Sequence, residues 1–179
     1  EIRRKIPELA SDRLARLTDQ FGLSEYDARL LTTSKSMADF FEQTTGLRSV
    51  SGEELERYAK NVSNWILGDL SRLLNLQDLE IQESPVSPEH LGELITLVDD
   101  GTVSVSMAKT VLEEVFESGD SPARIVQEKG YTQIRDSSVV ETAVAEAIDT
   151  NPQAVADYMG GKEMAAKYLV GQVMKITKG

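Results

Sequence analysis

The stretch SGEELERYAKNVSNWILGDLSRL, residues 51–73, decides the fold class. Leu55, Tyr58, Val62, Ile66, Leu70 and Leu73 recur every three or four positions. That spacing lines one face of an α-helix. Ser51, with Glu54 three residues later, reads as a capping box, in which a hydroxyl and a carboxylate satisfy N–H groups that a helix start leaves unpaired. Trp65 sits inside this amphipathic run, which points to core packing, or to the edge of the core with its indole N–H paired.

The same period extends outward. Leu91, Leu94, Ile95 and Val98 form a second stripe, and Val111, Leu112, Val115 and Phe116 a third. Ser87-Pro88, Ser121-Pro122 and Asn151-Pro152 each place a capping side chain before a proline, the residue that loses nothing at the first helical position. Gly46, Gly101, Gly119 and Gly130 stand where helices would close in a left-handed C-cap. Val103-Ser104-Val105 alternates but is too short for a sheet, so the expectation is an all-α protein. Two segments read as hinges: Gln77 to Pro88, polar with two prolines, and the turn cluster Glu117 to Pro122. Placing the boundary at the second gives a helical domain over residues 1–118 and a smaller helical tail over 119–179. The tail, at about 60 residues, lies near the lower limit for folding alone.

Composition narrows the function. No run approaches 18 consecutive apolar residues, so no membrane helix is expected. Glu1 in place of Met, and no apolar leader after it, point to a fragment or a processed chain with no secretory signal. The absence of cysteine excludes disulfides, thiolate metal sites and a cysteine nucleophile, and it fits a reducing cytoplasm. His90 is the only histidine and stands third in a helix beginning at Pro88, a capping or surface position. The acidic neighbours Asp99-Asp100, Glu53-Glu54 and Glu113-Glu114 point in different directions on a helix and make no two-carboxylate site. No catalytic and no metal-ligating constellation is therefore expected.

Charge is uneven. The net charge is −11, yet residues 158–179 carry Lys162, Lys167, Lys175 and Lys178 against Glu163 alone, +3 locally, which leaves −14 for the rest. Gly160-Gly161-Lys162 is not a P-loop, because Ala156 and Glu163 occupy positions that need Gly and Ser or Thr. Two readings stand: a turn between helices, or a backbone surface that lets a phosphate approach closely. In the last helix Ala165, Leu169, Gln172, Val173 and Ile176 form the inward stripe, and Lys167, Lys175 and Lys178 lie off it.

Several of these motifs resemble one family. Tyr26-Asp27-Ala28, Ala38-Asp39-Phe40-Phe41-Glu42, Asn64-Trp65-Ile66-Leu67-Gly68-Asp69-Leu70 and Glu83 to Glu89 are similar to the B subunit of the aspartyl/glutamyl-tRNA amidotransferase (GatB). So are Asn151-Pro152, Asp157-Tyr158, Gly161-Lys162 and Leu169 to Lys175, where the match is strongest. Ile6-Pro7-Glu8-Leu9 resembles the junction after the family's catalytic domain, making residues 1–22 a connection to a domain absent here. Ala10 replaces a common proline, and family members continue past Lys178-Gly179 with another helix.

The resemblance implies a cytoplasmic complex with A and C subunits that amidates Glu-tRNA(Gln) or Asp-tRNA(Asn), with glutamine as amide donor. ATP and Mg²⁺ act in the catalytic domain, so no cofactor is expected in this region. It implies a helical domain followed by a YqeY-type tail that contacts tRNA. The candidate contact residues are Gly160, Gly161, Lys162, Lys167, Gln172, Lys175 and Lys178. The alternative is a non-catalytic scaffold that docks partner subunits. Clustered basic residues would favour RNA, and an exposed apolar patch would favour protein.

Overall fold

The computed structural model describes residues 8–131 and 137–177, with side chains from 141 in the second stretch. The described residues are helical, and no strand occurs among them. In order the helices are α1 (Ala10–Phe21), α2 (Glu25–Leu31), α3 (Lys35–Gly46), α4 (Glu53–Trp65) and α5 (Ser71–Gln77). There follow α6 (Pro88–Asp99), α7 (Val105–Ser118), α8 (Pro122–Lys129), α9 (Ser137–Thr150), α10 (Pro152–Met159) and α11 (Glu163–Thr177). No helix among the described residues is long and apolar enough to cross a membrane.

The stripe that decides the fold is inward as expected. Tyr58, Val62, Ile66, Leu70 and Leu73 are buried in one apolar cluster with the stripes of α6 and α7. The helix start differs. α4 begins at Glu53 with Gly52 as N-cap, at φ 58° and ψ −141° and with no side-chain cap bond. A left-handed glycine occupies the place expected for the Ser51 hydroxyl. Glu53, Glu54 and Glu56 instead put negative charge at the positive end of the helix dipole.

The helical rod continues past the end of α4. A π-helical turn, Ile66–Leu70, joins it to α5, and Ser71 Oγ donates to the Ile66 carbonyl at 2.7 Å. α1, α3 and α6 lie against α4. Phe21 and Phe41 meet edge to face with centroids 5.3 Å apart. Arg13 binds both Asp39 and Glu42 of α3 at 2.7 Å, which fixes α1 on α3. Arg48 stacks on Tyr58 at 4.2 Å and bonds Asp99 at 2.7 Å. The Thr44 and Thr45 hydroxyls are buried and each donates to a backbone carbonyl at 2.9 Å. Ser63 Oγ is buried with no partner among the described residues.

Caps at Ser87 and Ser121 form as expected, and His90 Nδ1 accepts from Ser87 N to complete a capping box. Gly101, Gly119 and Gly130 are left-handed. Gly46 is not: it closes α3 as its last residue, and Leu47 caps the helix in a right-handed conformation. Gln77 to Pro88 is no free hinge. Its 3-10 turn, Ile81–Glu83, packs on α3, and Ile81 and Val86 are buried. Two apolar anchors outweigh the polar composition there.

The turn at residues 117–121 is present, but the core runs through it. α8 packs on α6 and α7, and Ile125 and Val126 join the cluster with Tyr131 against it. α9, α10 and α11 pack on one another. In those three helices, among residues with described side chains, only Ala143 and Ala147 are buried.

Candidate nucleic-acid interface

The expected contact residues gather on α11 and on the turn that precedes it. Gly160 N donates to Ala156 O at 2.9 Å, Gly161 N to Tyr158 O at 2.9 Å and Lys162 N to Asp157 O at 3.0 Å. All three turn amides therefore close α10, and none is left to hold a phosphate. Gly161 takes φ 88°, which a side chain would strain, and open space surrounds the missing Cβ. The glycine pair forms the turn between α10 and α11.

Lys162 Nζ binds Asp157 Oδ1 at 2.9 Å. That hydrogen bond holds the Asp157 carboxyl below its ordinary value. Lys162 is thus already partly neutralised. Lys167 and Lys175 are exposed on α11 and bond to nothing among the described residues. Eight residues apart, they lie about 80° apart around the helix axis. Gln172 is half-buried with Leu169 and Val173, at the edge of the inward stripe beside Lys175. Five residues from Lys167, Gln172 lies about 140° around the axis from it, but three residues from Lys175 it lies only about 60° away, as a neighbour on the helix surface. Ile176, expected inward, is 40 % exposed near the end of the helix. Lys178 lies outside the described residues.

The sequence reading missed the apolar side chains around these lysines. Met159, Met164, Val170 and Met174 are more than half exposed, as are Tyr158 and Tyr168. Tyr168 Oη donates to Asn151 Oδ1 at 3.2 Å, tying α11 to the turn before α10. Asn151 Nδ2 in turn donates to Ala147 O at 2.9 Å, so its side chain does not cap α10 as its place before Pro152 had implied. The i, i+4 spacing of Tyr168 from Met164 was the available signal for an apolar outer face. Basic side chains and exposed apolar ones therefore share one surface.

Among the described residues no group of three His, Cys, Asp or Glu side chains could hold a metal ion. The acidic neighbours act in ion pairs: Asp99 with Arg48, Glu113 with Arg72, and Glu114 with Lys129.

The family model described as the GatB domain matches residues 39–179. The B subunit of the aspartyl/glutamyl-tRNA(Asn/Gln) amidotransferase of Thermotoga maritima is 42 % identical over the whole chain. The B subunits of the same enzyme from Caldanaerobacter subterraneus and Moorella thermoacetica are each 47 % identical, over 100 % and 99 % of the chain. The chain spans 36 % of the length of each of these relatives. With a matching family model over residues 39–179 and identity at this level from end to end, the chain belongs to the GatB domain family.

Proposed function

We propose that this chain is a tRNA-holding region of the B subunit of a glutamine-dependent amidotransferase. The enzyme converts Asp-tRNA(Asn) or Glu-tRNA(Gln) to the amidated form, in the cytoplasm, together with A and C subunits. The relatives' names support the reaction class. The one histidine is engaged in capping α6, and the ion-paired carboxylates hold helices together. We therefore assign ATP and Mg²⁺ chemistry to the part of the enzyme that this 36 % does not cover.

The observation that carries the tRNA contact is the outward face of α11, where Lys167 and Lys175 have no partner among the described residues in a chain of net charge −11. Such a face meets sugar–phosphate and the folded shape of the RNA, because A-form helices offer few base edges to a short helix. Each lysine on a phosphate steepens the dependence of log affinity on log salt by about 0.7–0.9. The test is a salt titration of tRNA affinity for wild type, Lys167→Ala, Lys175→Ala, the double variant and Lys162→Ala. We expect the slope to fall by roughly one such step per variant at Lys167 and Lys175, and by less at Lys162, where Asp157 already competes. One shared slope and affinity among folded variants would remove the tail from the binding surface.

A second reading rests on the exposed methionines. It makes the same face a dock for a partner subunit, and it predicts that Met164→Ser with Met174→Ser loses assembly while the salt slope stays unchanged.

A further inference from the structure

A cleft of about 300 Å³ opens between α4 with its π-turn and the α6–α7 pair, on a different part of the molecule from α11. That volume is at the lower end for ligand pockets and suits a single ring system rather than an extended molecule. Its apolar wall is Trp65, Ile95, Val98 and Val105. Asn61 and Asn64, three residues apart on α4, stand on the same side of that helix and also line it. Neither carboxamide has a hydrogen-bond partner among the described residues.

The charges at the rim are already paired. Asp69, placed by the π-turn, meets Lys109 at 3.3 Å, and Asp99 is held by Arg48 at 2.7 Å. A fixed charge placed within the cleft would have to break one of these pairs. A neutral planar ligand need not. The open valences of the cleft are therefore two amides, each with a donor and an acceptor, beside an aromatic edge. A carboxamide matches the N6 and N7 edge of adenine with two hydrogen bonds, and an indole supplies the stacking or edge contact that a base accepts. π-turns inside α-helices recur at functional sites, and here the turn forms one wall.

We propose that this cleft binds an adenine base, presented by a single RNA strand or by a free adenine nucleotide. The inference does not rest on the tRNA contact assigned to α11 and survives its failure.

The test uses the chain's single tryptophan, Trp65, whose fluorescence reports on the cleft directly. The 179-residue chain is titrated with AMP, GMP, CMP, UMP and a short oligoadenylate. We expect saturable quenching by AMP, with affinity at least tenfold above that for CMP and UMP. Asn61→Leu with Asn64→Leu should weaken AMP at least tenfold while leaving the circular dichroism unchanged, because neither side chain is buried. Lys167→Ala should leave it unchanged. Tighter binding of oligoadenylate than of AMP assigns the base to an RNA strand, and equal binding assigns it to a free nucleotide. Quenching that is equal for all four bases, unaffected by the double asparagine variant, or absent overturns the proposal.

Discussion

Ser63→Ala should stabilise the protein. Ser63 is fully buried in α4, and its hydroxyl meets no partner among the described residues. A buried polar group without a hydrogen bond costs about 1–3 kcal/mol. Removing the oxygen leaves a small void, worth only a few tenths of a kcal/mol at ~24 cal/mol per Å³. Alanine also exceeds serine in helix propensity by roughly 0.5 kcal/mol. The terms sum to a gain of about 1–3 kcal/mol, or a rise in Tm of roughly 2–10 °C for a chain of this size. Thr44→Val gives the opposite sign, because the Thr44 hydroxyl donates to Phe40 O at 2.9 Å. Its loss should cost about 0.5–1.5 kcal/mol. The assay is denaturant unfolding followed by Trp65 fluorescence, with an unchanged m-value showing that the midpoint shift is a stability change. If Ser63→Ala lowers the midpoint, the hydroxyl has a partner and the packing of α4 described above is wrong.

Trp65→Ala should destabilise by about 3–5 kcal/mol, as for other large buried aromatics, read from thermal melts; an unchanged Tm would make the residue a surface feature. The Lys60 ammonium beside Asp27 holds that carboxyl below its ordinary range, with help from Ser24. A depressed carboxyl stabilises the fold above its unfolded pKa, and the contribution is lost as pH falls through the folded value. Asp27→Asn should therefore be less stable than wild type at neutral pH and equal to it in acid; a gap independent of pH would contradict the pairing. Amide exchange in α9–α11 should outpace that in α4 and α6, because Ala143 and Ala147 are the only buried side chains described there. Equal protection would mean that the tail is held as firmly as the body.

The all-α class was legible because period 3.6 survives every tertiary detail. The stripes of α4, α6 and α7 proved to be core, and serine before proline proved to be a cap. What failed was reading single residues from composition. Gln77 to Pro88 looks like a hinge until Ile81 and Val86 are seen buried against α3, and a local pattern cannot report a distant surface. Ser51 gave a plausible box, but the chain reaches α4 through a left-handed Gly52 that no capping pattern anticipates. In the candidate interface, Lys167 and Lys175 lay where helical phase put them, whereas Gln172 belonged to the inward stripe that the same phase describes. The engagement of Lys162 with Asp157 spans a turn, and its geometry was invisible in the spacing. The π-turn left no trace at all, since Ile66 and Leu70 are four apart as in any helix.

That turn makes the long rod from Glu53 to Gln77 unequal in its tolerance of length. Deleting one residue within α4 would rotate everything beyond it by about 100° and carry Leu73 and Leu74 out of the core. The π-turn already holds one residue more than a regular helical turn requires. Removing Gly68, around whose Cα lies open space, would let the turn relax to α-helix with both flanking stripes still in place. A single-residue deletion in this rod should therefore survive at residues 66–70 and fail elsewhere along it.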